Sequence, residues 1–530
     1  MPVDAISLEV FKNMFISVSE EMGVALLRTA YSPNIKERRD FSCAIFDPPG
    51  QMVAQAAHQP VHLGAMPASV QAALDTFPNS LRPGDMVILN DPYLGGTHLP
   101  DITLVAPVFV TRDGENELVG FVSNRGHHAD VGGMTPGSLP LSTELYQEGL
   151  ILPPIKLARR GRLNQEVVQL ICRNSRTPEE RRGDLAAQIA SIRVGEKRLQ
   201  EVVERYGVTE TREHMDALLD YSERVTRSAI SQIPDGTYRV LDYMDDDGLT
   251  EEPVPIAVAI TVAGDSMKID FTGTSPQRPG CINAPQAVTM SASLYMVRCV
   301  VGDDAPANQG CLRPVEVITP RGTLVNPEPQ RGVAGGNVET SQRITDVLLT
   351  AMAQALPELI PAASQGTMNN LLIGGHDLDR DRPFVYYETI GGGMGGRPTK
   401  DGISGIHTHM TNTMNTPVEA LEFAFPLRLK RYALRRGSGG DGLHKGGDGL
   451  VRDVEFLSPA RVTILSERRK FHPPGFHGGH HGESGENVLL KGGYEEVHLA
   501  GKETLDVEAG DILSIRTPGG GGWGAPSEGK

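Results

Sequence analysis

Apolar residues recur at helical spacing from about Ser7 to Tyr31, with Leu8, Phe11, Met14, Phe15, Val18, Met22, Ala25 and Leu26 on one stripe. That stripe predicts a long amphipathic helix. A second helical stretch runs from Thr177 to about Ile233, with charges dense between its apolar positions. Its Thr177-Pro178-Glu179-Glu180 opening has the composition of a capped N-terminus. Elsewhere the pattern turns to strands: Phe41 to Phe46, Met86 to Leu89, Leu118 to Val122, Tyr238 to Tyr243, Val254 to Val262, Ser266 to Phe271 and Phe384 to Ile390. Helices are predicted again at Ala287 to Val300 and Val338 to Ala355, and the chain then becomes β-rich and glycine-punctuated. Without regular βαβ alternation, the order predicts an α+β class. The expectation is a large mixed multi-domain fold with a helical middle segment and a β-rich, Gly-rich C-terminal part. Its divisions fall at 1–176 (an α+β unit), 177–235 (helical), 236–420 (central α+β) and 421–530 (β-rich).

The chain has 530 residues, of which 39% are hydrophobic and 22% charged, an ordinary balance for a globular protein. The 60 glycines are not ordinary, and their clustering implies ordered, turn-rich connections. Aromatic residues make up only 5% and the net charge is −16, which disfavours stacked or phosphate-bound nucleic acid as a partner. No apolar run reaches membrane-spanning length. The opening Met1-Pro2-Val3-Asp4 has neither the basic nor the apolar part of a signal peptide. Five cysteines without a Cys-x-x-Cys pair fit a reducing compartment, so a cytoplasmic location is expected. Cys43, inside an apolar run, reads as a small buried thiol.

Two short polar clusters change the picture. Asn90-Asp91-Pro92-Tyr93-Leu94-Gly95-Gly96-Thr97-His98-Leu99-Pro100-Asp101 and Asn124-Arg125-Gly126-His127-His128-Ala129-Asp130 each follow a strand-prone run. Together they hold three imidazoles and three carboxylates. Side chains at the ends of two neighbouring strands converge, and nitrogen with carboxylate oxygen suits a borderline divalent ion. Capped turn residues are the competing reading of the same Asp, Asn and Gly content.

Other constellations are weaker. Gly391-Gly392-Gly393-Met394-Gly395-Gly396 follows a predicted strand and offers backbone amides to a phosphate or oxyanion, or else forms a tight structural turn. It lacks the Lys-Ser/Thr ending of a P-loop. His407 and His409 alternate on a predicted strand and so face one side, as ligands, general bases or satisfied structural histidines, with a polar active-site wall the preferred reading. Arg38 and Arg39 sit in a charge run that is either a solvated face or a binder of a phosphorylated substrate. Asp270 to Ser275 is read as an ordinary turn, and the histidines from His472 to His481 are given no catalytic role. Trp523, inside the Gly-rich tail, predicts backbone laid closely against a neighbour and anchored by one large ring.

Long motifs carry a resemblance: Tyr31-Ser32-Pro33-Asn34-Ile35-Lys36-Glu37-Arg38-Arg39-Asp40-Phe41-Ser42, His62-Leu63-Gly64-Ala65-Met66, the two His/Asp clusters, His407 to Glu419, and the tail ending at Trp523-Gly524. The chain resembles the hydantoinase B/oxoprolinase family over nearly its whole length. The resemblance implies a B-type subunit that works beside an A-type, actin-like ATPase subunit in a hetero-oligomer. In that scheme ATP bound by the partner phosphorylates an amide or carbonyl oxygen, and the B-type subunit completes the chemistry at a zinc, manganese or iron site. Carried onto this sequence, the pattern gives His98, Asp101 and His127 as metal ligands with Asp91 beside them. His128 and Asp130, with His407 and His409, become catalytic candidates. Arg38, Arg39, Gly392, Gly393, Gly395 and Gly396 become substrate- or phosphate-binding candidates. The implied reaction is hydrolysis of a phosphate-activated cyclic amide such as a hydantoin, N-methylhydantoin or 5-oxoproline. An acetone- or acetophenone-type carboxylase subunit and a non-catalytic subunit with a structural metal are the alternatives.

Overall fold

A computed structural model describes residues 3–56, 58–112, 114–302 and 305–526 of the chain, so Met1 and Pro2 of the leader expectation lie outside the described residues. The first long helix, Ala5–Thr29, is capped by Asp4, whose side chain accepts the amides of Ile6 and Ser7. It packs against the helix Pro178–Tyr206, where Gly195 leaves room for Met22. The middle segment is two helices, Pro178–Tyr206 and Val208–Ile230. Thr177 stands at the N-cap of the first, but its hydroxyl is buried without a hydrogen-bond partner and does not cap it. Pro178 at the first position and two glutamates in the first turn start that helix instead.

Seven strands form the first sheet: β1 (Phe41–Phe46), β2 (Met52–Gln55), β3 (Met86–Leu89), β4 (Asp101–Arg112), β5 (Glu115–His127), β6 (Ile155–Arg159) and β7 (Arg162–Leu163), in the order β2-β1-β5-β4-β3-β6-β7. β1 is buried along its whole length, and burial pushes the Cys43 thiol up to about 12. One core spans this sheet and the helices Ala5–Thr29 and Pro178–Tyr206. A second sheet, in the order β11-β10-β9-β8, comprises β8 (Gly236–Met244), β9 (Val254–Ala263), β10 (Ser266–Asp270) and β11 (Val315–Ile318). The helices Gln286–Val301 and Ser341–Ala355 share its core. A π-helical turn, Gly336–Thr340, leads into the latter.

Nine strands follow: β12 (Asn370–Asp377), β13 (Arg382–Glu388), β14 (Leu427–Arg435), β15 (Gly449–Phe456), β16 (Ala460–Leu465), β17 (Glu486–Lys491), β18 (Glu495–Leu499), β19 (Lys502–Val507) and β20 (Ile512–Arg516). They make two sheets, β13-β12-β16-β19 and β14-β15-β20-β17-β18. The first joins strands from both sides of residue 420, so hydrogen bonding runs across that sequence division. The mixture of helices and several sheets is α+β. No helix among the described residues is long and apolar enough to cross a membrane.

The glycine clusters have a common purpose. Segments near Gly393, Gly446, Gly479 and Gly520 lie backbone against backbone, cross-linked by bonds such as Gly393 to the Pro518 carbonyl (3.0 Å), Gly396 to Gly521 (2.8 Å) and Gly440 to Gly520 (2.8 Å). A Cβ on Gly395 would sit 1.8 Å from the Ala362 carbonyl oxygen, and one on Gly393 2.0 Å from that of Gly447. Only glycine lets backbones approach so closely. Trp523 is the buried ring of this bundle, with mutual amide–carbonyl bonds to His444.

Candidate metal centre

The turn before β4 is tied down by a buried asparagine. Asn90 donates to the Leu99 and Leu150 carbonyls (2.7 and 2.9 Å) and accepts the Leu152 amide (2.7 Å). This fixes the loop carrying Thr97 and His98 onto the start of β4. Antiparallel pairing then sets Asp101 directly opposite His127, at the end of β5. Such cross-strand neighbours have Cβ atoms about 5 Å apart, close enough for their side chains to meet.

Three donor atoms converge. Asp101 Oδ1 lies 3.1 Å from both His98 Nε2 and His127 Nδ1, and the two nitrogens are 3.2 Å apart. Donors held about 2.0–2.1 Å from one small cation are separated by roughly 3.0–3.4 Å, so the triangle fits a divalent ion. All three residues are buried, and theirs is the group of three or more His, Cys, Asp or Glu that converges in this way among the described residues. The far nitrogens, His98 Nδ1 and His127 Nε2, have no protein partner. The second carboxylate oxygen is occupied separately: Asp101 Oδ2 accepts the Thr97 hydroxyl at 2.6 Å and lies 3.4 Å from His62 Nε2. Burial would raise the Asp101 carboxyl, yet the surrounding imidazoles hold it well below the ordinary range. The donor set of two imidazoles and one carboxylate suits zinc, manganese or iron.

His62, Thr97 and Tyr387 belong to this neighbourhood but have no role in the sequence reading. His62 stands on a one-turn helix, Pro60–Leu63, with Nδ1 3.0 Å from the Ser42 hydroxyl. The Tyr387 ring, on β13, stacks on His127 at 4.7 Å between centroids and 23° between planes. Nothing in a local motif signals a contact made by a strand so distant in sequence.

The remaining candidates are placed differently. Asp91 turns its carboxylate onto the Tyr93 amide (2.9 Å) and stays outside the triangle. His128 faces the opposite way from His127 and meets Gln188 at 2.9 Å. Since the Gln188 amide nitrogen is donated to Ile102 and Asn124, its oxygen accepts and His128 Nε2 carries the hydrogen. Burial pushes His128 down to about 3, so it is neutral. Asp130 accepts the amides of Gly132, Gly137 and Arg176 and an ion pair from Arg176 at 2.9 Å, which engages both of its oxygens.

Arg38 is not on a solvated face but buried, donating to Asn34, to the Tyr387 carbonyl (3.1 Å) and to the Thr389 hydroxyl (2.9 Å), with its guanidinium 4.5 Å from the Tyr387 ring centroid. Arg39 is exposed and takes φ +57°, a left-handed conformation unusual outside glycine. The amides offered as an anion cradle are already engaged. Those of Gly392, Gly393, Met394 and Gly396 donate to the carbonyls of Ile406, Pro518, Ile403 and Gly521, and that of Gly395 to the Ser364 hydroxyl. His407 and His409 are not on a strand, because His409 turns left-handed at φ +57° and breaks any alternation. Both still line one cavity of about 450 Å³ with Pro60, Tyr295, Cys299 and Arg397. His407 has no hydrogen-bond partner at either nitrogen, and burial pushes it down to about 3.

Comparison with known proteins adds three likenesses and a family. Residues 4–526 match the model of the hydantoinase B/oxoprolinase family. The chain is 44% identical over 551 residues to 5-oxoprolinase 1 of Arabidopsis thaliana, covering 98% of this chain but 42% of that protein. It therefore spans about two fifths of that relative's length. It is 33% identical to a protein of Pseudomonas sp. (strain NS671) assigned as the B-type subunit of a D-/L-hydantoinase, covering 99% of this chain and 91% of the relative. The crystal structure of the ATP-dependent caprolactamase of Pseudomonas jessenii superposes with a TM-score of 0.91 at 27% identity, covering 99% of this chain and 92% of that one.

Proposed function

The chain belongs to the hydantoinase B/oxoprolinase family, and from that membership we propose that it is the B-type unit of an ATP-dependent enzyme that hydrolyses a cyclic amide at a divalent metal. The observation that carries the proposal is the buried triangle of His98 Nε2, Asp101 Oδ1 and His127 Nδ1. The names of its relatives supply the substrate class: 5-oxoproline, hydantoin and caprolactam rings all contain an amide bond. The nucleotide step is assigned to a partner, because one relative is itself a B-type subunit and another is a much longer chain.

An amide in a small ring resists attack because resonance strengthens its C–N bond. Phosphorylation of its oxygen by the partner removes that resonance and leaves an electrophilic carbon. His98, Asp101 and His127 would hold a divalent ion, which would supply Lewis acidity to an oxygen of substrate or water. Around it, Thr97 and His62 hold the second Asp101 oxygen, so the first stays directed into the triangle. His62, bonded to Ser42 on its other side, is the group placed to hold a proton beside the site. His128 and Asp130 anchor the end of β5 and the loop after it, which keeps His127 in register. His407 and His409 form the wall of the cavity that Pro60, two residues before His62, also lines, where neutral His407 has a free donor and a free acceptor for a ring amide.

The test is turnover of 5-oxoproline, hydantoin and N-methylhydantoin by this chain purified with its nucleotide-binding partner, with and without ATP and bicarbonate. Ring opening that needs ATP and is indifferent to bicarbonate is expected. Product formation that needs bicarbonate would overturn the hydrolase in favour of a carboxylase.

A further inference from the structure

The two imidazoles of the triangle lack a usual support. A metal-binding histidine normally gives its second ring nitrogen to a carboxylate or carbonyl, which fixes the plane of the ring. His127 Nε2 has no such partner although it is buried. Its imidazole is flanked instead by the Tyr387 ring, nearly parallel to it at 4.7 Å.

Tyr387 is itself held at several points. Its hydroxyl donates to Asn370 Oδ1 at 2.8 Å, and Asn370 Nδ2 donates to Glu339 Oε1 at 2.7 Å and to the Leu465 carbonyl at 2.9 Å. Glu339 Oε1 also accepts the Met368 amide at 3.0 Å. The Arg38 guanidinium packs 4.5 Å from the same phenol ring. All of these residues are buried. Glu339 comes from the π-helical turn, Asn370 and Tyr387 from β12 and β13, and Arg38 and His127 from the N-terminal part. Irregular π-turns inside helices are frequent where a side chain must be aimed.

We infer that Tyr387 is a positioning residue for the metal centre, its ring setting the plane of the His127 imidazole and its hydroxyl braced by Asn370 and Glu339. The inference rests on the metal reading of the triangle. A distant sheet thereby completes a site whose ligands come from the first sheet and the loop that leads into β4. Glu339, pushed up to about 8 by burial, is a neutral acid at the far end, so the brace brings no charge toward the ligands.

The experiment uses the full chain stripped of metal by chelation. Mn²⁺ affinity is read from the free-ion paramagnetic resonance signal, and the ligand field from the visible spectrum of bound Co²⁺. Loss of an outer support typically weakens metal binding by about 10- to 100-fold. Y387L, which removes the ring, is expected to weaken Mn²⁺ at least about tenfold and to alter the Co²⁺ band. Y387F, which keeps the stack and loses the brace, is expected to retain the Co²⁺ band with Kd raised, but by less than about tenfold, and N370A to match it. Wild-type affinity and spectrum in folded Y387L would overturn the inference. Should Y387L not fold, a raised Kd in Y387F or N370A supports the brace, and wild-type Kd in both overturns it. If the wild-type chain binds neither ion, the metal reading itself has failed, a result separate from any behaviour of Tyr387.

Discussion

His98 Nε2 lies 3.2 Å from His127 Nδ1, and the same oxygen of Asp101 is 3.1 Å from each. Hydrogen bonding alone uses this arrangement poorly, since one oxygen serves two imidazoles whose outer nitrogens are unpartnered. A divalent ion uses all three inner atoms. Replacing the carboxylate by an amide removes the charge while keeping the shape, so D101N is expected to lose bound metal by at least about tenfold. Far-ultraviolet circular dichroism should stay as in the wild type. Unchanged metal content by elemental analysis would contradict the assignment.

The Asp130–Arg176 clamp predicts a different outcome. Both oxygens of Asp130 are engaged, and none faces the triangle. Removing a buried acceptor of charged bonds costs about 2–3 kcal/mol, so D130A should unfold at lower denaturant. Turnover per folded molecule should be reduced but not abolished, since Asp130 anchors the loop after β5 and carries no proton. Full stability with abolished turnover would instead make Asp130 a proton carrier.

Two buried groups contribute to opposite limbs of the pH dependence. Glu339 has its carboxyl raised by burial to about 8 from 4.5, so the native state keeps a proton that the unfolded chain releases. Its contribution is complete below pH 4.5 and is lost as pH rises toward about 8. His128 is depressed to about 3 from 6.5, so its contribution is complete above pH 6.5 and is lost on acidification. Melting temperatures across this range should fall less steeply on the alkaline side in E339Q than in wild type. An identical alkaline slope would contradict the protonated state of Glu339.

The triangle is legible in the sequence because its residues lie in two dense motifs that one hairpin brings together, Asp101 pairing with His127 across β4 and β5. The long helices and several strands are legible from periodicity, as with Val254–Ala263 and Gln286–Val301, whereas short helices such as Met66–Thr76 and Gln165–Arg173 are not. Tyr387 is not, because its contact with His127 depends on how two sheets meet. The burial of Arg38 is equally hidden, because a run of charges says nothing about the Tyr387 ring that covers one of them. The glycine run at 391–396 offers amides when read alone, but no local pattern shows that Pro518 and Gly521 already take them.

That glycine bundle yields its own prediction. G395A places a methyl group 1.8 Å from the Ala362 oxygen, where backbone, not a flexible side chain, must move. Overpacking of this kind costs about 1–3 kcal/mol or more. G161A is the control: it is left-handed at φ +79° but meets nothing within 4 Å, so only about 1–2 kcal/mol of backbone strain applies. Urea midpoints should fall further for G395A than for G161A. Equal losses would mean that the bundle is looser than its geometry implies.

The most direct test of the metal centre is an anomalous difference map from crystals of the chain grown with Mn²⁺ or Zn²⁺. One peak lying between His98 Nε2, Asp101 Oδ1 and His127 Nδ1 is the predicted result. A crystal that takes up the ion elsewhere, or leaves those three atoms joined only by hydrogen bonds, would contradict the account.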